Sequence, residues 1–244
     1  MKNILKAIFA FYGLVLFIIT LLIVILPIFL IRNMKEPKRG VWIYRIYRAW
    51  MHVYLFLIGV RVEIKGLEHF KKGTSYVITA NHRSFLDIMI TVPFLPGPNK
   101  TLAKIEMAKI PLFGLIYRVG SVLVDRSDEN SRRESLIKMQ EVLERGQHLC
   151  LYPEGTRNRT EENLSAFYTG AFATAIHAQK DIIPCVLFGT NKIMPVKPLF
   201  SLRPGKIKMH FLPAISVKDY SDKDKGILKD KVYNIMWDYI EINK

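Results

Sequence analysis

The stretch that decides the fold is residues 75–87, "SYVITANHRSFLD". Its first six residues form an apolar run of strand length, and the next two, Asn81 and His82, are polar. Ser84 and Asp87 then have the spacing of a capping box, in which a serine begins a helix and an acid three residues later reaches back to its backbone. The stretch therefore predicts a buried strand followed by a helix, with His82 on the turn between them.

The same alternation continues along the chain. Further strands are predicted at 61–65, 100–104, 120–125, 148–153, 182–189 and 206–212. Helical patterns cover 84–94, 106–118, 128–145, 168–179 and 225–242. This order predicts an α/β fold, a mainly parallel sheet flanked by helices. Such sheets carry their sites at the C-terminal ends of the strands.

The 244 residues carry a formal net charge of +15, and the excess is concentrated near the N-terminus. Residues 1–61 hold nine Lys or Arg and a single acid, Glu36. Because this charge lies beside the most apolar segment, it favours a membrane lipid partner over nucleic acid, for which no motif is present. The two cysteines, Cys150 and Cys185, lie in apolar runs and are predicted to be reduced core thiols.

Residues 7–31 run without a charge, and as a helix they would be roughly 37 Å long, more than the ~30 Å hydrocarbon layer. This is longer than the apolar region of a signal peptide, so we expect it to be retained as an anchor. Residues 42–60 mix aromatic residues with arginine, a composition typical of a helix at the lipid–water interface. Residues 33–40 predict a turn between the two helices.

Two arrangements of this segment remain open. Basic residues flank both ends of the first helix and favour a hairpin within one leaflet, while one span plus one surface helix is the alternative. The larger positive cluster follows the first helix, which places the main domain on the cytoplasmic face. We therefore expect residues 1–60 to form a two-helix membrane anchor and residues 61–244 to form the catalytic or binding domain.

The spacing of His82 and Asp87 also suggests a catalytic pair. Five residues along a helix correspond to about 140°, so the two side chains would not share a face if both were helical. With His82 on a loop, Asp87 can hold one ring nitrogen while the other takes a proton from a hydroxyl. On this stretch alone, the helix cap and the catalytic pair remain equal alternatives.

Two other strand ends carry polar chemistry. "YPEGTRNR" at 152–159 combines a glycine, which permits close approach of a ligand, with Arg157, whose planar fork suits phosphate. Lys104 and Arg126 each fall at the end of a predicted strand. Together with His82 they describe a base next to a basic pocket for an anionic group. No serine lies in a Gly-x-Ser-x-Gly motif, and neither cysteine has the surroundings of a nucleophile.

These motifs, in this order, resemble those of the 1-acylglycerol-3-phosphate (lysophosphatidic acid) acyltransferase family. "NHRSFLD" matches the family's N-H-x-x-x-x-D block, and residues 104–126 match a block with Lys, Glu, Pro, Gly and a terminal Arg. "PEGTR" at 153–157 matches the third block, and "IIPCVLFG" at 182–189 resembles the fourth.

The resemblance implies a role for each matching residue. His82 would be the general base and Asp87 its orienting partner, in direct transfer from acyl-CoA or acyl-carrier protein to the sn-2 hydroxyl of lysophosphatidic acid, with no acyl-enzyme. Phosphatidic acid would be the product, and neither a metal nor a cofactor beyond the acyl donor is implied. The residues implied to bind the acceptor phosphate or shape its site are Lys104, Arg126, Glu154, Gly155, Thr156 and Arg157. Pro184 would lie in the core near the donor site.

One departure affects the acceptor. Relatives commonly have F-K-x-G after the third block, whereas residues 167–170 are "FYTG", with Tyr168 in the lysine position. Another lyso-lipid, such as lyso-ornithine lipid, therefore remains an alternative acceptor. A non-catalytic membrane protein that binds anionic lipid is a further alternative, which explains the charge and the anchor but needs no His82–Asp87 pair.

Overall fold

The computed structural model describes residues 2–198 and 201–244, so Met1 of the predicted anchor lies outside it. The helices are α1 Lys2–Ile31, α2 Lys38–Leu57, α3 Leu86–Phe94, α4 Phe113–Gly120, α5 Glu129–Glu144, α6 Gly170–His177, α7 Thr190–Ile193 and α8 Lys225–Asn243. The strands are β1 Val60–Lys65, β2 Val77–Ala80, β3 Asn99–Lys104, β4 Ser121–Val124, β5 His148–Leu151, β6 Ile182–Phe188 and β7 Gly205–Phe211.

The strands form one seven-stranded sheet in the order β1-β7-β6-β2-β5-β3-β4. Strands β2 to β6 are parallel, whereas β7 is antiparallel to β6 and parallel to β1. The prediction of a mainly parallel α/β sheet is thus confirmed, with a strand at each predicted position. The reversal at β7 was not predicted, because apolar periodicity carries no information on strand direction.

Helices cover both faces of the sheet, and each face has its own apolar core. The first core joins α1–α4 to strand residues such as Ile78 and Ala80, and the second joins α5, α6 and α8 to residues such as Val77 and Leu149. Strands β2, β5 and β6 are therefore buried on both faces, which explains why their sequences read as nearly continuous apolar runs.

Several helix bounds differ from the predictions. Helix α2 begins at Lys38, inside the predicted turn 33–40, and α6 covers Gly170–His177 rather than 168–179. Two other differences have a clear local cause. The predicted helix 106–118 is divided into a 3₁₀ turn, Ile105–Lys109, and α4. Between them Leu112 has φ 61° and the Phe113 amide donates to the Pro111 carbonyl, a tight three-residue turn that interrupts helical bonding. Helix α3 begins at Leu86, two residues later than predicted, because the Asp87 carboxylate binds the backbone amides of Arg83 and Ser84 and holds them in a turn.

Helices α1 and α2 form an antiparallel hairpin. The hydroxyl of Tyr54 donates to the Gly13 carbonyl and that of Tyr12 to the Leu57 carbonyl, each at 3.2 Å. The segment Ile4–Ile31 is long and apolar enough to cross a membrane. Large apolar side chains are exposed along its outer face, from Ile4 to Leu30, and this indicates membrane association.

The turn of the hairpin is fixed to the sheet by a buried charge cluster. Glu36 Oε1 lies 3.0 Å from both Lys100 Nζ, on β3, and the Arg39 guanidinium, while Gln147, just before β5, donates to Oε2 at 2.9 Å. Burial would raise the pKa of Glu36, but Lys100, Arg39 and Gln147 together lower it to about 2. The turn is therefore held at the N-terminal ends of β3 and β5.

Candidate active site

The predicted polar blocks meet along one side of the sheet. Strand β3 ends in Lys104. The other three residues follow the C-terminal ends of their strands: His82 follows β2, Arg126 follows β4 and Glu154 follows β5. Because these strands are parallel neighbours, the four residues belong to one edge, which we call the site edge. The hairpin turn at Glu36 lies at the opposite edge.

The histidine and aspartate of "NHRSFLD" are in direct contact. His82 Nδ1 lies 2.8 Å from Asp87 Oδ2, and the Asp87 side chain is fully buried. The His82 side chain is 13% exposed. Its Nε2 makes no hydrogen bond to any residue that the structure describes. Asp87 therefore orients the ring by one nitrogen and leaves the other free to exchange a proton.

The helix-cap contact uses the same carboxylate oxygen. Asp87 Oδ2 accepts from the amides of Arg83 and Ser84 at 2.6 and 2.7 Å, which is the acidic half of the predicted capping box. The serine half differs, since the Ser84 hydroxyl accepts from the Leu86 amide and donates to the Met194 carbonyl. The cap and the histidine contact are thus parts of one arrangement, in which the turn that begins α3 also fixes His82.

Glu154 connects the third block to the histidine turn. Its Oε1 accepts from the His82 amide at 2.6 Å, and its Oε2 accepts from the amide and hydroxyl of Ser165. The residue is 2% exposed, and this burial raises the pKa of the carboxyl despite the hydrogen bonds that oppose the shift. Both oxygens are therefore occupied by protein groups that position His82 and the 153–165 segment.

The predicted cations occupy different positions around this core. Arg126 Nη1 donates to the Gly155 carbonyl at 2.5 Å, and the Arg157 guanidinium lies over the Phe85 ring, 3.5 Å from its centre. Burial and the charge of Arg159 lower the pKa of Arg157, which nearby Asp87 partly offsets. Lys104 and Thr156 are exposed and make no side-chain hydrogen bond within the described ranges.

Comparison with known proteins identifies the family. An acyltransferase family model matches residues 61–188, slightly more than half of the chain. The chain is also 30% identical over 230 residues to 1-acyl-sn-glycerol-3-phosphate acyltransferase alpha from Mus musculus, covering 93% of this chain and 78% of that protein. The chain belongs to the 1-acyl-sn-glycerol-3-phosphate acyltransferase family. It is an acyltransferase, and the predicted resemblance is confirmed.

Two further relatives extend the comparison to bacteria. The acyltransferase is 27% identical over 190 residues to 1-acyl-sn-glycerol-3-phosphate acyltransferase from Borreliella burgdorferi, covering 76% of this chain and 75% of that protein. The crystal structure of the 1-acyl-sn-glycerophosphate (LPA) acyltransferase PlsC from Thermotoga maritima superposes with a TM-score of 0.81 at 21% identity. That superposition covers 99% of this chain and 97% of the other, so the two share one fold over almost all of both chains.

Sequence reasoning missed two residues that support the site of the acyltransferase. The Asn81 amide donates to the Leu187 carbonyl and accepts from its amide, at 3.1 and 2.7 Å, which joins the ends of β2 and β6. The Arg83 guanidinium donates to the carbonyls of Thr160 and Glu162. The positions of Asn81 and Arg83 beside His82 indicated that they could support the site. Their hydrogen-bond partners were not predictable, because they lie about 80 to 106 residues away in sequence.

Tyr152 is a third contact that the sequence did not reveal. Its ring stacks on the His82 imidazole with centroids 4.3 Å apart and planes at 29°. In the sequence it reads as the last apolar residue of a core strand. The signal was its place just after β5, the parallel neighbour of the strand that leads to His82.

The two cysteines are buried in the sheet. Both are free thiols, as predicted, and each is fully enclosed. Burial raises the pKa of Cys150 to about 12 and that of Cys185 well above its usual value. Neither thiol is available as a nucleophile. Pro184 is likewise buried, in β6 beside Thr79 of β2.

Proposed function

We propose that this acyltransferase moves an acyl chain from an acyl thioester to the sn-2 hydroxyl of lysophosphatidic acid and so makes phosphatidic acid. The names of the relatives support this acceptor, and the His82–Asp87 contact of 2.8 Å supports the chemistry. A histidine held by a buried carboxylate, with its second nitrogen free, is suited to act as a general base.

The proposed reaction is a direct transfer. His82 Nε2 removes the proton of the sn-2 hydroxyl as that oxygen attacks the thioester carbonyl carbon. The carbon–sulfur bond then breaks, and the thiolate takes up the proton from the imidazolium. Asp87 stabilises the imidazolium between these two steps. The buried state of Cys150 and Cys185 supports a route without an acyl-enzyme.

The acceptor phosphate is assigned to the cations of the site edge. Arg157 has a planar fork of donors that suits phosphate, and its contact with the Phe85 ring restricts the orientation of that fork. Arg126 and the exposed Lys104 complete the positive field. Glu154, Gly155 and Thr156 form the turn that carries Arg157, with Glu154 acting through its contact to His82.

Residues 1–60 are proposed to anchor the 61–244 domain to the cytoplasmic face of the membrane as a hairpin within one leaflet. Helix α1 packs along α2, and the Glu36 cluster fixes their turn to the sheet, so α1 lies alongside the domain. Introduced cysteines at Lys6→Cys and Lys35→Cys distinguish the alternatives. A hairpin makes both reactive to an impermeant maleimide from the cytoplasmic side, whereas a span makes them reactive from opposite sides.

The substrate assignment is tested with purified enzyme in lipid micelles. Acyl-CoA and acyl-carrier protein are supplied in turn as donors, with no added cofactor, and phosphatidic acid is measured. We expect transfer to lysophosphatidic acid with at least one donor. Absence of transfer by a folded protein with either donor would refute the proposal.

A second acceptor class is favoured by Tyr168. This side chain is 71% exposed, and its ring packs against Gly155, where an added Cβ would lie 2.8 Å from it. It replaces a lysine of the family pattern next to Arg126, so a less charged lyso-lipid, such as lyso-ornithine lipid, fits this position. Comparing lysophosphatidic acid with lyso-ornithine lipid decides between them. Tyr168→Lys should then improve KM only for the phosphate acceptor.

A further inference from the structure

We infer that Tyr152 is a positioning residue for the reaction. Its ring packs against one face of the His82 imidazole and stabilises the imidazole when it carries a proton. The inference rests on the proposed function, because it concerns the same histidine. Its basis is the stacked contact, with centroids 4.3 Å apart and an interplanar angle of 29°.

The contacts of His82 with Asp87 and with Tyr152 restrict different motions of the imidazole ring. Asp87 holds Nδ1 at the ring edge, which still allows the ring to tilt about that bond. Tyr152 covers one face and restricts the tilt. Neither contact uses Nε2, which makes no hydrogen bond to any residue that the structure describes.

Tyr152 is itself held in place by α3. Its hydroxyl lies 2.5 Å from the Thr91 hydroxyl, which donates to the Asp87 carbonyl at 2.9 Å, so Tyr152 is the donor in the first bond. Thr91 is fully buried. Burial raises the pKa of Tyr152 well above its usual value, so the ring stays neutral and retains its hydroxyl proton.

The stacking geometry also has an electrostatic consequence. An aromatic face attracts a cation within about 6 Å of its centre, and the effect is larger at a desolvated site. The His82 ring becomes such a cation when it accepts the proton of the acceptor hydroxyl. Tyr152 therefore stabilises the protonated state that forms during transfer more than the neutral state that precedes it, and this raises kcat.

Tyr152→Leu and Tyr152→Phe separate the ring from its hydroxyl. In the full-length enzyme with lysophosphatidic acid and acyl-CoA, we expect Tyr152→Leu to lower kcat about 10-fold with KM little changed, and to move the acid limb of the pH–rate profile to lower pH. Tyr152→Phe keeps the ring and should restore the rate to within about 3-fold with the acid limb unmoved. Phe172→Leu, at a buried aromatic residue on the other face of the sheet, controls for lost packing and should leave kcat unchanged.

Each outcome decides the inference. Tyr152→Leu with the wild-type kcat and acid limb overturns it, as do equal losses in the Leu and Phe variants with no shift in pH. If Tyr152→Leu fails to fold, Tyr152→Met, which is also non-aromatic, is measured against the same criteria. A wild type that transfers no acyl chain overturns this inference together with the proposed function, whereas an active wild type with an unaffected Tyr152→Leu variant overturns this inference alone.

Discussion

The carboxylate of Glu154 accepts a hydrogen bond of 2.6 Å from the backbone amide of His82. Two sequence blocks 72 residues apart are thereby joined at one buried group. The same carboxylate also accepts from the amide and hydroxyl of Ser165, so it ties the His82 turn to the 153–165 segment.

Glu154→Gln should therefore weaken both stability and turnover. The amide retains one acceptor oxygen, so either His82 or Ser165 loses its partner, at a cost of about 1–3 kcal/mol. We expect a lower free energy of unfolding and a kcat reduced about 10-fold, measured by urea unfolding in micelles and by acyl transfer. A Glu154→Gln enzyme with wild-type kcat would show that this link does not position His82.

Arg157→Ala should raise KM for lysophosphatidic acid at least about 10-fold with a smaller effect on kcat, because charge-assisted hydrogen bonds are worth roughly 1.5–3 kcal/mol. Arg159→Ala, at the exposed cation two residues later, is the matched control and should change KM little. An equal effect of Arg157→Ala on an acceptor without phosphate would argue against a phosphate site.

The stability of the enzyme should fall between pH 6.5 and pH 4. His148 is buried, and this lowers its pKa from 6.5 to about 4, although a backbone hydrogen bond at Pro96 opposes the shift. The unfolded chain protonates His148 below pH 6.5 while the folded chain keeps it neutral, so the contribution is complete above 6.5 and is lost as pH falls towards 4.

Urea unfolding of wild type and His148→Gln at pH 7 and pH 5 measures this effect. The wild type should lose about 2 kcal/mol more than the variant over this interval. Equal losses in the two proteins would mean that His148 is not the titrating group.

Glu36→Gln should destabilise the enzyme by about 3 kcal/mol, because it leaves the nearly buried Lys100 ammonium without its counter-charge. Since the pKa of Glu36 is lowered to about 2 from 4.5, the stabilisation is complete above pH 4.5 and lost as pH falls towards 2. The double variant Glu36→Gln/Lys100→Met should recover part of the loss at pH 7. A single variant as stable as the wild type would show that the cluster does not hold the hairpin turn.

The fold was largely predictable because its central strands are buried on both faces. The runs at Val77 and Ile182 are almost entirely apolar, and the polar residues Asn81 and His82 follow the first of them. The break at Leu112 was not predictable, because it depends on a local turn. The late start of α3 was not predictable either, because it depends on the Asp87 carboxylate binding the amides that precede the helix.

The site was predictable as a set of blocks but not as a set of contacts. The placement of His82 on a loop allowed a contact with Asp87, but the stretch alone did not distinguish that contact from a helix cap. The sequence placed Glu154 with the substrate groups, whereas both its oxygens bind protein. Tyr152 was assigned to the core because a stacked ring and a packed ring have the same apolar pattern in sequence.

The central claim is that His82, held by Asp87, is the general base of acyl transfer. The most direct measurement compares kcat for phosphatidic acid formation by wild type and His82→Ala, with thermal unfolding to show that both are folded. We predict a loss of about 10²–10⁴-fold in kcat for the variant. A folded His82→Ala enzyme with the wild-type rate would contradict the account.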